Sequence, residues 1–186
     1  MNNVMINTIE KVGKALNESK IRWAIGGSVL LQAAGFAVEP NDLDIIFETR
    51  DAEEALEVFE AIGAKHASDP SYHYQSYSFT EMMVGSVEVD LMAGLKIIKD
   101  RTPYQYPFDE TTPIDLRVIG DVTVPFMSLD DWLVLYFLMP GKVWKAKLIA
   151  DQFKKTGATH PGRIDQLIHL MGIDLEKAEA IRELLK

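Results

Sequence analysis

Asn41-Asp42-Leu43-Asp44-Ile45 carries two carboxylates separated by one apolar residue. On a β-strand, residues two apart project from the same face. Asp42 and Asp44 therefore stand side by side, with Leu43, Ile45 and Phe47 turned toward a core. Two like charges at that spacing repel and hold each other's proton unless a cation neutralises them. A hard divalent ion does so, and Mg²⁺ is commonly held by one or two carboxylates together with substrate phosphates. Val87-Glu88-Val89-Asp90-Leu91 repeats the pattern, acids on one face and apolar residues on the other. A neighbouring strand bringing Asp90 beside Asp42 and Asp44 completes three carboxylates, enough for a two-metal site with ions roughly 3.5–4 Å apart. Asp90 is preferred because a short carboxylate suits tight coordination; Glu88 shares its face and remains an alternative third acid. Upstream, Ile25-Gly26-Gly27-Ser28 reads as a strand turning on two glycines into a helix. Such a turn leaves backbone N–H groups uncovered for phosphate oxygens, and Ser28 adds a hydroxyl.

Taken in order, Gly27-Ser28, a spacer of thirteen residues and Asp42-Leu43-Asp44-Ile45 resemble the signature of the DNA polymerase β-like nucleotidyltransferase superfamily, with Asp90 at the family's third acid. The likeness covers residues 21 to 92. A weaker one, to small bacterial and archaeal members, continues through Val124-Pro125-Phe126-Met127-Ser128-Leu129 and from Gly141-Lys142 to Leu148. The resemblance implies an α+β fold, a mixed β-sheet flanked by helices. It places NTP phosphates on Gly26, Gly27 and Ser28, and Mg²⁺ (or Mn²⁺) on Asp42, Asp44 and Asp90. The reaction implied moves a nucleoside monophosphate from an NTP to an acceptor hydroxyl and releases pyrophosphate, with Asp90 helping to deprotonate the acceptor. Two other readings share the fold: a nucleotide- or protein-binding module without turnover, and a toxin-like member that modifies RNA or protein. A small-molecule acceptor, as in antibiotic-modifying relatives, is equally open.

The elements that position these residues are legible from periodicity. Ile9, Val12 and Leu16 recur at helical spacing, so residues 4 to 18 read as an amphipathic helix. Arg22 to Ile25 is a short strand, Ser28 to Ala34 a helix stopped by Gly35, Asp42 to Phe47 a strand, and Ala52 to Ile62 a helix closed by Gly63. Tyr72 to Phe79 is β-rich, and Glu81 to Val84 and Val87 to Met92 flank a tight Gly85-Ser86 turn. Residues 94 to 113, with three prolines, read as irregular. Ile114 to Val118 and Val122 to Pro125 are short strands. Beyond them the period becomes helical: Ser128 caps a helix over Leu129 to Met139, Pro140-Gly141 breaks it, and a second runs from Lys142 to Lys155. Pro161 reads as the first residue of a helix through Met171, and Asp174 caps a last one. The change of element type divides the chain into a nucleotidyltransferase core, 1–126, and a C-terminal helical lobe, 127–186.

Composition narrows the chemistry. The 186 residues include no cysteine, which removes disulfides, thiolate zinc sites and cysteine nucleophiles. His66, His73, His160 and His169 show no metal-ligand spacing. Tyr72, Tyr74 and Tyr77 read as sheet packing rather than a base-stacking platform, and Trp132, Tyr136, Phe137 and Trp144 as helix packing. A net charge of −9 disfavours nucleic acid as a partner, because phosphate contacts require Lys and Arg. The one basic cluster, Lys142, Lys145, Lys147, Lys154 and Lys155, reads as a solvated helix face. The N-terminus lacks a secretory pattern and Trp132 to Met139 is too short to span a bilayer, so the expected compartment is cytoplasmic and no membrane partner is expected.

Overall fold

Met5, Ile9, Val12 and Leu16 fall on one stripe of the first helix, α1 (Asn3–Glu18), and all four are buried. Asn2 caps it, its side chain accepting from the Met5 N–H at 2.8 Å. In the computed structural model, which describes residues 1–66 and 77–186, that stripe lies on a seven-stranded mixed sheet. Gly13 is the point of closest approach: a Cβ there would sit 2.6 Å from Cγ1 of Val124. Tyr72, His73 and Tyr74 lie outside the described residues.

The strands are β1 (Trp23–Ile25), β2 (Asp42–Phe47), β3 (Lys65–His66), β4 (Ser78–Val84), β5 (Val87–Ala93), β6 (Lys96–Lys99), β7 (Thr102–Gln105), β8 (Ile114–Ile119) and β9 (Val122–Met127). Their order in the large sheet is β3-β4-β5-β2-β1-β9-β8. β1 is antiparallel to β2 and parallel to β9, β2 is parallel to β5, and the hairpins β4–β5 and β8–β9 are antiparallel. A short helix α2 (Gly27–Ala33) joins β1 toward β2, and α3 (Ala52–Ala61) follows β2, burying Ala55 and Phe59. Leu43, Ile45, Val89 and Leu91 are wholly buried on one face of the central strands, which leaves the polar residues between them on the other.

The described chain falls into two units. The first holds Met1–Leu95 and Phe108–Met127, and so the whole seven-stranded sheet. The second holds Lys96–Pro107 and Ser128–Lys186. Residues 94 to 113 are therefore not irregular throughout, because β6 and β7 form a two-stranded hairpin inside that stretch. Its turn residues Asp100 and Arg101 both have positive φ, +50° and +69°. That conformation usually announces itself by Asn-Gly or Asp-Gly, which this turn lacks.

Within the second unit, Ser128 caps α4 (Leu129–Leu138), accepting from the Asp131 N–H at 3.0 Å. Every residue of α4 is buried, the unbroken apolar run from Trp132 to Leu138 together with Asp130 and Asp131 of the first turn. Around it stand α5 (Val143–Thr156), α6 (Arg163–Leu170) and α7 (Leu175–Leu184). Arg163 grips Asp131 with two hydrogen bonds, Nε to Oδ1 at 2.7 Å and Nη2 to Oδ2 at 2.9 Å, and the hydroxyl of Tyr106 donates to the same carboxylate. This buried pair is satisfied on every side, the condition under which a buried ion pair is tolerated. Two local expectations change. Pro161 lies in the turn before α6 rather than at its first residue: Gly162, in the left-handed conformation, is the N-cap and Arg163 the first helical residue. Trp144 is 52% exposed rather than packed. Among the described residues no helix is long and apolar enough to cross a membrane.

Candidate active site

β2 alternates as its sequence demands: Leu43 and Ile45 enter the core, and Asp42 and Asp44 emerge half-buried on the opposite face. The parallel register of β5 sets Asp42 opposite Glu88 and Asp44 opposite Asp90. The hairpin β4–β5 adds a third strand, with Glu81 opposite Asp90. One row of carboxylates, Asp44–Asp90–Glu81, thus crosses three adjacent strands, with Asp42 and Glu88 in the row beside it. Oxygens of Glu81, Glu88 and Asp90 all lie within 4.8 Å of one another. The β2 acids adjoin this group across the strand boundary rather than entering it.

The glycine turn meets the row directly. The chain leaves β1 at Gly26, whose N–H donates to the backbone carbonyl of Asp44 at 3.0 Å. Gly27 follows with φ +59°, and a Cβ on it would stand 1.6 Å from Oδ2 of Asp44. Only glycine supplies both the left-handed backbone and the missing side chain. Ser28 is buried at the start of α2. Gly26 and Gly27 are therefore brought against Asp44, with Ser28 next in the chain.

Electrostatically the focus is Asp90. Its carboxyl is pushed up from 3.8 to about 8, first by burial and then by the charges of Asp44, Asp42, Glu88 and Glu81. Its Oδ1 is buried with no hydrogen-bond partner. A buried acceptor without a donor is costly, and a ring of acids around it makes the cost larger. An all-oxygen donor set of this kind fits a hard divalent cation such as Mg²⁺ or Mn²⁺.

Glu81 completes the row without matching the Asp-x-Asp pattern of β2, although the sequence carries a signal for it. A two-residue Gly85-Ser86 turn requires Val84 to face Val87, and counting back three places sets Glu81 against Asp90. Elsewhere the described histidines stay apart from any such cluster. His66 stands 3.8 Å from Glu60 on the surface, His160 gives its backbone N–H to Asp130 at 3.2 Å, and His169 is exposed. The basic cluster is a solvated face with one exception: Lys145 is buried, its ammonium 5.0 Å from the ring centre of Tyr136 and 5.7 Å from that of Trp144.

Residues 8–152 match the model of a protein family described as aminoglycoside-2''-adenylyltransferase. No curated protein matches the chain. Among solved structures, the fold is similar to that of the candidate nucleotidyltransferase TM1012 from Thermotoga maritima, with a TM-score of 0.59 at 21% identity over 83% of this chain and 96% of that one. It is also similar to the antibiotic-resistance factor ANT(2'')-Ia, with a TM-score of 0.53 at 17% identity, covering 98% of this chain and 91% of the other. A third, an antigenic nucleotidyltransferase-like protein from Paracoccidioides brasiliensis, gives 0.52 at 13% identity, over 100% of this chain and 88% of its own. These likenesses carry the nucleotidyltransferase fold.

Proposed function

The chain belongs to the aminoglycoside-2''-adenylyltransferase family of nucleotidyltransferases, and from that premise we propose that it moves AMP from ATP to a hydroxyl of a small, positively charged amino-sugar. The observation that carries this reading is the row of carboxylates on β2, β5 and β4 closed at one end by the Gly26-Gly27 turn. In this reading Asp42, Asp44 and Asp90 hold the metal, with Glu81 and Glu88 within reach of it. The bound Mg²⁺ or Mn²⁺ would neutralise the triphosphate and polarise its α-phosphorus.

The chain's own groups do the rest. Gly27, lacking a side chain, lets a phosphate oxygen approach the backbone beside Asp44. Gly26 and Ser28 flank that approach. Oδ1 of Asp90, buried and without a hydrogen-bond donor, would take the acceptor's hydroxyl proton. As the acceptor oxygen bonds to the α-phosphorus, the bond from that phosphorus to the bridging oxygen breaks, and pyrophosphate leaves with the electron pair. Such transfer is largely positioning and charge neutralisation. The acidic chain, −9 overall, attracts a cationic acceptor and repels RNA.

The test incubates the protein with α-phosphate-labelled ATP and Mg²⁺, adding tobramycin, lincomycin or transfer RNA in turn. Label should enter the aminoglycoside with one pyrophosphate released per transfer, and EDTA or Asp90→Asn should abolish it. Label in lincomycin or RNA instead would overturn the acceptor class. No label in any acceptor, with no thermal shift by Mg-ATP, would overturn the catalytic reading.

A further inference from the structure

β8 is the last strand of the sheet order, and its outer edge has no strand beside it among the described residues. It reads Ile114-Asp115-Leu116-Arg117-Val118-Ile119. Leu116 and Val118 are each 71% exposed, an unusual pairing of apolar side chains on a bare edge. Natural edges are commonly blunted by lysine, proline or a bulge, because an open row of N–H and C=O groups recruits another strand. Here the outward positions carry none of these.

Which backbone groups point outward follows from the hairpin. Ile119 faces Val122 across the two-residue Gly120-Asp121 turn, the closing pair of a two-residue hairpin, in which both residues bond to each other. Alternation then turns the groups of Ile119, Arg117 and Asp115 toward β9, and those of Val118, Leu116 and Ile114 away from it. Pro125 agrees. It stands opposite Leu116 and has no N–H to offer, so that pair is a non-bonded one.

We propose that this edge pairs with a second copy of itself, β8 against β8, antiparallel and centred on Leu116. Three antiparallel registers keep outward residues facing outward residues near the middle of the strand. Centring on Asp115 opposes two aspartates, and centring on Arg117 opposes two arginines. Centring on Leu116 sets Asp115 against Arg117 of the second copy at both ends, and Ile114 against Val118. Opposite charges across a ladder stabilise it and like charges oppose it. The same register uses all three outward-facing residues and sets Leu116 beside Leu116, and Val118 beside Ile114, of the second copy. The two seven-stranded sheets become one continuous sheet through a two-fold axis, the commonest symmetry of soluble oligomers.

The test uses the full chain, which has no cysteine of its own. In the proposed register the two Leu116 Cα atoms stand about 5.5 Å apart, within disulfide range. Leu116→Cys should therefore form a covalent dimer under mild oxidation, and Val118→Cys, whose opposite residue is Ile114, should not. Sedimentation of the unmodified chain should give twice the 20.9 kDa monomer mass. Arg117→Asp should weaken the dimer at least tenfold, and Asp115→Arg combined with Arg117→Asp should restore it; circular dichroism reports whether each variant folds. Monomeric sedimentation together with equal cross-linking at both cysteines would overturn the proposal. So would an Arg117→Asp variant that dimerises as tightly as the parent. None of these readouts depends on catalysis, so the result stands apart from the enzymatic reading.

Discussion

Asp90 makes the metal-free protein sensitive to alkali, and replacing it should remove that sensitivity. Its carboxyl sits at about 8 in the folded chain against an ordinary 3.8. Below pH 4 it is protonated whether folded or not, and above pH 8 it is ionised in both. Between those values the folded state binds a proton that the unfolded state lacks, so stability falls as pH rises from about 4 to about 8. At about 1.4 kcal/mol per pH unit, the full interval bounds the loss near 6 kcal/mol. Asp90, Asp42 and Asp44 are only partly buried and Glu88 is exposed, so screening reduces this to about 2–3 kcal/mol. Asp90→Asn cannot ionise and keeps that free energy. In EDTA at pH 9 the variant should melt about 4–12 °C above the parent, using about 2–4 °C per kcal/mol for a chain of this size. At pH 5 the difference should shrink to about a quarter of that, because only about one of the four pH units has been crossed. Adding Mg²⁺ at pH 9 should raise the parent more than the variant, which keeps Asp42 and Asp44 but lacks the third carboxylate. Paired melting curves at pH 5, 7 and 9, with and without the ion, decide the matter. Parallel pH profiles for parent and variant, or a variant that melts lower at pH 9 in EDTA, would refute the view that Asp90 is an uncompensated buried acid awaiting a cation.

Other substitutions probe the surroundings. Gly27→Ala forces a Cβ onto Oδ2 of Asp44 at a left-handed φ, so it should destabilise the fold by about 1–3 kcal/mol and weaken Mg-ATP binding in the folded fraction, as calorimetry would read; unchanged affinity would separate the turn from the phosphate. Glu81→Gln should lower the Mg²⁺ affinity about tenfold without unfolding the chain, while Glu39→Gln, outside the row, should not; equal effects would remove Glu81 from the site. Arg163→Met leaves the buried Asp131 carboxylate without its two hydrogen bonds, at a cost of about 3–5 kcal/mol in urea unfolding. A loss under 1 kcal/mol would show that the hydroxyls of Ser128 and Tyr106, which also donate to that carboxylate, suffice to hold its charge.

Local pattern determined much of this protein. Alternation along Asp42–Phe47 and Val87–Ala93 separates acids from core residues whatever the sheet's order, because side chains on a strand alternate with a period of two. The stripe of α1, the caps at Ser128 and Asp174, and the glycine turn at Gly26-Gly27 are likewise set by residues within a few positions of one another. Three things required the tertiary structure. The parallel pairing of β2 with β5 joins residues more than forty positions apart, and no local rule sets that register. The β6–β7 hairpin hid in a proline-rich stretch because Asp100-Arg101 supplies its turn without the usual glycine, a strain the paired strands sustain. The charge on Asp90 is a collective property: its acidity is set by burial and by four carboxylates on three strands, distances that exist only once the sheet is assembled.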